Sequence, residues 1–102
     1  MNNLLKETKE VLKRNHLTFD DILWIEDGDY EIPKELFMIL ADHEYDDGYG
    51  SQKVSPSLCL VGDGFFFERA EYDGAEWWEY KVVPERPDDV RYDLSFEDIF
   101  WE

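Results

Sequence analysis

Near the start of the chain the apolar positions recur with a helical period. Leu4, Leu5, Thr8, Val11 and Leu12 share one face, with Lys, Glu and Arg between them, which predicts a helix over residues 3–15. Asn2 or Asn3 can cap its start, and Asn15 suits its end. Thr18-Phe19-Asp20-Asp21 then joins a capping hydroxyl to early acids, the pattern of a single helical turn. From Ile22 to Glu26 the composition becomes that of a strand. Asp27-Gly28 reads as a two-residue hairpin turn, and Asp29 to Ile32 returns. Pairing Leu23 with Ile32 and Ile25 with Tyr30 would place four apolar side chains on one face. Pro33 suits the first turn of a second helix, over 34–44. Leu36, Phe37, Leu40 and Ala41 form its stripe; Met38 and Ile39 widen it, so burial on more than one side is expected.

Residues 45–57 read as a loop from their Gly, Pro and Ser content. The clearest pattern comes next. Strand 58–62 meets Asp63-Gly64, strand 65–72 meets Asp73-Gly74, and strand 75–83 stops at Pro84, which predicts a three-stranded meander with two-residue turns. Counting from the turns opposes Tyr72 to Ala75, Ala70 to Trp77, Glu68 to Glu79, Phe66 to Lys81, Val61 to Phe66 and Cys59 to Glu68, all on one face. The other face carries Leu58, Leu60, Phe65, Phe67, Trp78, Tyr80 and Val82, with Arg69, Glu71 and Glu76 at one end, and reads as core. The first face mixes Phe66, Tyr72 and Trp77 with Glu68 and Glu79, and the opposed glutamates cost stability. Either the irregular C-terminal segment beginning at Pro84 folds over it, or it is an aromatic and acidic surface for a protein partner.

Helix, hairpin, helix, meander and a short C-terminal helical turn make one α+β domain over residues 1–102. It would be an antiparallel sheet with two helices packed on it. The last turn, Ser95-Phe96-Glu97-Asp98, is capped like the first. Thr18-Phe-Asp-Asp-Ile-Leu-Trp24 and Ser95-Phe-Glu-Asp-Ile-Phe-Trp101 match in residue character at every position. They are two instances of one capped turn, or the second is a docking peptide that could replace the first in a dimer.

Charge changes this picture most. The chain holds 26 acidic and 10 basic residues, a net of -16. Residues 1–18 are mildly basic through Lys6, Lys9, Lys13 and Arg14, and residues 19–50 carry eleven acids against Lys34. The basic helix could dock on the acidic body and offset its self-repulsion, or the surplus could serve a basic partner. Asp20, Asp21, Glu26, Asp27, Asp29 and Glu31, with Asp42, Glu44, Asp46 and Asp47, form the candidate acidic interaction surface. Direct binding to nucleic acid is disfavoured, because phosphates would be repelled. No apolar run is long enough for a bilayer and no signal-peptide pattern opens the chain, so no membrane association is expected. Cys59 is the single cysteine, consistent with a reducing cytoplasm.

Catalytic groups do not converge. His16 and His43 lie far apart at helix ends, and Cys59 sits in a strand without a cationic neighbour. Glu68 and Glu79 could share a proton, but no pocket is implied. Asp42, Glu44, Asp46, Asp47 and Gly48 begin like a calcium loop, yet its glycine is one place late and the twelfth position is Lys53. Asp27, Asp29 and Glu31 lack the sixth-position glycine. No metal, cofactor or enzymatic activity is expected.

Two stretches, Glu44-Tyr-Asp-Asp-Gly-Tyr-Gly-Ser-Gln-Lys-Val54 and Glu68-Arg-Ala-Glu-Tyr-Asp-Gly-Ala-Glu-Trp-Trp-Glu-Tyr-Lys81, resemble small acidic proteins encoded by phages and prophages of Gram-positive bacteria. Such proteins have no assigned activity, so the resemblance transfers no site residue. It implies a setting in which very acidic proteins include nucleic-acid mimics, among them anti-CRISPR and anti-restriction inhibitors. The expectation is a non-enzymatic protein whose acids occupy a basic, nucleic-acid-binding partner in a bacterial cytoplasm. The alternative is an adaptor or homodimer that uses the aromatic face around Phe66, Tyr72 and Trp77.

Overall fold

The computed structural model describes residues 1–46, 48 and 50–100. Its elements, in chain order, are β1 (Asn2–Asn3), α1 (Leu4–Arg14), a 3-10 turn (Phe19–Asp21), β2 (Ile22–Asp27), β3 (Tyr30–Ile32), α2 (Lys34–Ala41), β4 (Glu44–Tyr45), β5 (Leu58–Gly62), β6 (Phe65–Tyr72), β7 (Ala75–Val82) and a second 3-10 turn (Phe96–Asp98). The fold is α+β. Five antiparallel strands run in the order β3-β2-β5-β6-β7, and β1 and β4 form a separate two-stranded ribbon. No helix among the described residues is long and apolar enough to cross a membrane.

Helix α1 forms where its period predicts. The Asn3 side chain accepts from the Lys6 N–H at 3.0 Å, capping the first turn. At the other end Asn15 is the C-cap, as expected, and His16 after it takes the left-handed conformation (φ 60°). His16 N–H then reaches the Lys13 carbonyl and Leu17 N–H the Leu12 carbonyl, satisfying two terminal acceptors while Leu17 folds back towards the core. The buried stripe is Thr8, Val11 and Leu12. Thr8 is wholly buried without leaving a polar group unpaired: its hydroxyl donates to the Leu4 carbonyl and accepts from the Trp78 indole at 2.9 Å.

The meander has the register that its two Asp-Gly turns predict, from Tyr72 opposite Ala75 to Val61 opposite Phe66. At the second turn Asp73 and Gly74 both have positive φ, the type I′ requirement. On the inner face Leu58, Leu60, Phe65, Phe67 and Trp78 are buried with Ile22, Ile25, Val11, Leu12, Phe37 and Ala41. Each such large side chain contributes about 1.5–3 kcal/mol on leaving water.

Several expectations are corrected. The first hairpin turns at Gly28-Asp29, not Asp27-Gly28, so Ile25 faces Ile32 and Asp27 faces Tyr30. Gly28 (φ 64°) takes the first loop position, where positive φ is needed and only glycine is unstrained. The two-residue slip leaves the faces unchanged, but Leu23 and Tyr30 are exposed. A bulge between Ile22 and Trp24 turns Leu23 outward and lets Ile22 and Ile25, three positions apart, both point into the core. Helix α2 ends at Ala41, because Glu44 and Tyr45 pair with Asn3 and Asn2 instead. Only Phe37 and Ala41 of its stripe are buried; Leu36, Ile39 and Leu40 remain exposed. Tyr80 and Val82 are also exposed. Residues 83–100 are all exposed, as are Tyr72 and Trp77, so the C-terminal segment does not cover the outer face. Both the segment and that face are acidic, and like charges resist such a contact. The basic helix does not neutralise the body through contacts either. Among the described residues Lys6, Lys9, Lys13 and Arg14 form no ion pair, and the pair that α1 makes uses its acid, Glu7.

That pair belongs to a buried polar cluster. Arg69 and Glu76, both with fully buried side chains, meet at 3.1 Å, and Arg69 reaches Glu7 at 3.0 Å. The Tyr45 hydroxyl donates to Glu7 and accepts from Arg69, whose guanidinium lies 4.8 Å from the Trp78 ring centroid. Glu76 also accepts from the Lys53 and Val54 N–H groups, fixing the loop before β5. Burial, then the bond to Glu7, pushes the Tyr45 phenol up to about 12. Burial opposes the Arg69 charge, but Glu7 and Tyr45 outweigh it and hold its pKa above the usual value. The cluster ties the β1–β4 ribbon, α1 and the β6–β7 hairpin together.

Candidate functional site: an open acidic and aromatic sheet face

Strand register decides which side chains share the outer face of the sheet. Glu31 lies opposite Glu26, Glu26 opposite Cys59, Cys59 opposite Glu68, and Glu68 opposite Glu79. One row therefore crosses all five strands with four glutamates and a central cysteine. At about 4.8 Å per strand it spans about 19 Å. The adjacent row is Trp24, Val61, Phe66 and Lys81. On the far side of the glutamates stand Ala70 with Trp77, then Tyr72 with Ala75. In these rows Trp24, Tyr72 and Trp77 are exposed, and Cys59, Val61, Phe66 and Glu68 are half-buried.

The face is organised by its own polar contacts. The Trp24 indole N–H donates to Glu26 Oε1 at 2.6 Å, so an aromatic ring and a carboxylate are held as one unit. Lys81 Nζ meets Glu68 Oε1 at 2.5 Å, and Glu68 holds the Lys81 pKa above its usual value. This cation relieves the repulsion between the opposed Glu68 and Glu79. Burial, followed by Glu26 and Glu68, pushes the Cys59 thiol up to about 11. A thiol protonated at neutral pH is a poor nucleophile.

The expected acidic surface is divided by the fold. Glu26 and Glu31 join Glu68 and Glu79 in the row. Asp27 points to the inner side and accepts from Ser55 Oγ at 3.0 Å. Asp29 is in the hairpin turn. Asp20 and Asp21 belong to the first 3-10 turn, where Asp21 closes the capping box by accepting from the Thr18 N–H. Asp42 accepts from the Asn3 side chain, Glu44 pairs in β4, and Asp46 is exposed. Asp47 lies outside the described residues, as does Trp101 of the repeated turn. Among the described residues no cluster of His, Cys, Asp or Glu has the geometry to hold a metal ion. Phe66, Tyr72, Trp77, Glu68 and Glu79 do come together as the register predicts.

Sequence reasoning missed Trp24 and the joining of Glu26 and Glu31 to the meander, because both depend on β2 pairing with β5 across thirty intervening residues. The alternation of Trp24 and Glu26 along β2 was the available signal. It also missed an apolar cleft between α2 and the loop before β5, lined by Leu4, Ile32, Phe37, Leu40, Val54 and Leu58. No family model, curated protein or solved structure matches the chain.

Proposed function

We propose that this chain is a non-enzymatic interaction protein, of the kind phages and prophages use as inhibitors. It would act in a bacterial cytoplasm by occupying a basic, nucleic-acid-binding surface of a protein partner. The carrying observation is the row Glu31, Glu26, Cys59, Glu68 and Glu79, two glutamates on each side of the cysteine across the five-stranded sheet, in a chain of net charge -16. Carboxylates fixed on a sheet present a negative pattern without the entropy cost of ordering a loop. The rings of Trp24, Phe66 and Trp77 beside the row would add desolvated anchors that a purely electrostatic decoy lacks. Those rings also support the second reading, an adaptor that engages a protein partner mainly through the aromatic face.

Affinity capture from a bacterial lysate, with and without excess competing duplex DNA, tests the proposal. The quadruple change Glu26→Gln, Glu31→Gln, Glu68→Gln, Glu79→Gln should abolish capture, and DNA should displace what the wild type holds. Capture that survives both DNA and the glutamine changes but is lost in Trp77→Ala would replace the decoy by the adaptor.

A further inference from the structure

We infer that two copies of this chain pair through the outer edge of β7 from Trp78 to Val82, joining their five-stranded sheets into one. Strand β7 is eight residues long and ends the sheet order, with no strand beyond it among the described residues. Its two-residue turn makes Tyr72 and Ala75 a hydrogen-bonded pair, after which such pairs alternate. The Val83 N–H bonded to the Gly64 carbonyl at 2.9 Å keeps this alternation to the strand's end. The backbone groups of Trp78, Tyr80 and Val82 therefore point away from β6. A long edge without a proline or bulge is a template for another strand.

A second copy is favoured because the strand is complementary to itself in one register. With Tyr80 opposite Tyr80, Glu79 of each copy lies opposite Lys81 of the other, and Trp78 lies opposite Val82. Glu79 and Lys81 then form non-hydrogen-bonded pairs, in which side chains stand closest. Moving the centre to Glu79 would oppose two glutamates instead. Burial agrees with this choice. Beside the first half of β7, Met1, Asn2 and α1 line a cleft with Trp77 and Trp78. The second half leaves Tyr80 40% and Val82 60% exposed on the inner side. Tyr80 is already seated against Phe67 and Phe65, at ring-centroid distances of 5.2 and 5.8 Å, and offers a fixed apolar contact at the two-fold axis. Pro84 stops the ladder just beyond the point where Val83 meets Trp77. The arrangement forms about six backbone hydrogen bonds and makes the two outer faces one surface. It does not depend on what that surface binds.

Sedimentation equilibrium on the full chain in moderate salt should show a monomer–dimer equilibrium. Lys81→Glu, which opposes two acids at both symmetric positions, should weaken it at least tenfold, and Glu79→Lys should do the same. Combining them restores complementary charges and should restore the dimer. Amide exchange gives an independent reading: the N–H groups of Trp78, Tyr80 and Val82 should gain protection as protein concentration rises. A chain that stays monomeric at a few hundred micromolar overturns the inference. So does a dimer indifferent to both charge changes, or one in which those three amides exchange equally fast at all concentrations.

Discussion

Thr18–Leu23 and Ser95–Phe100 have similar sequences and open with the same capped 3-10 turn, yet have opposite fates. In each a hydroxyl residue and an aspartate three places on close a capping box, and the aspartate accepts from the cap N–H at 2.9 Å in both. The first turn is held from outside. Phe19 packs against Phe37, Ile22 is buried, and Lys34 Nζ donates to the carbonyls of Phe19 and Ile22 at 3.0 and 2.9 Å. In the second, Phe96 and Ile99 are each 69% exposed, and Phe96 stacks on its own neighbour Phe100. A hydroxyl and an acid suffice to shape a turn. Burial needs a receiving surface, and that surface is built by distant parts of the chain.

The contrast extends to the ion pairs of the two regions, where the largest difference is expected. Arg69→Ala strands Glu7 and Glu76 around a cavity and should cost about 3–5 kcal/mol in urea unfolding. Arg91, paired with Asp93 in the exposed segment, should give no measurable change on replacement by alanine. Next come the matched isoleucines. Ile22→Ala should lose about 2–4 kcal/mol, while Ile99→Ala should leave the urea midpoint unchanged. Equal losses in the two would show that the second turn has a receiving surface after all.

Half-buried titrating groups in the folded body should make it sensitive to alkali. Tyr45 and Cys59 have folded pKa values of about 12 and about 11, against ordinary values of 10.0 and 9.0. Both are raised, so their contribution is complete below pH 9 and is lost as pH climbs through 11 to 12. Thermal melts should show a falling midpoint across that window. At pH 7.5 the Cys59 thiol should alkylate up to about 100-fold more slowly than in the unfolded chain, and Glu26→Gln should speed it. The smallest effect concerns the caps. Thr18→Ala should cost about 1 kcal/mol of global stability. Ser95→Ala should alter only the local signal of residues 95–100, read by chemical shifts, with no change in the global melt.

Local chemistry made some of the fold readable and hid the rest. The meander was legible to the residue because Asp63-Gly64 and Asp73-Gly74 fix both turns, and alternation then sorts Phe67 and Trp78 from Phe66 and Trp77. The first hairpin was ambiguous by two positions, since Asp27-Gly28 and Gly28-Asp29 are both acceptable turns and only Gly28's positive φ separates them. The β1–β4 ribbon has two residues in each strand, too few to show a period. Alternation put Arg69 and Glu76 on the inner face, but not the Glu7 and Tyr45 that complete their cluster. The glutamate row was half visible. Glu68 and Glu79 follow from a turn, whereas Glu26 and Glu31 reach them only through the β2–β5 seam.

That seam also divides the molecule in time. The three meander strands contact their sequence neighbours through two-residue connections, so little chain must be ordered before they gain hydrogen bonds. β2 can join only after the chain between Asp27 and Leu58, including α2, has been drawn into a closed loop. The meander is the expected folding nucleus and the seam a late event. Lesions at Phe67 should slow refolding, and lesions at Ile25 should chiefly hasten unfolding. The complete row of four glutamates, which needs both sides of the seam, would then come into being only at the last step of folding.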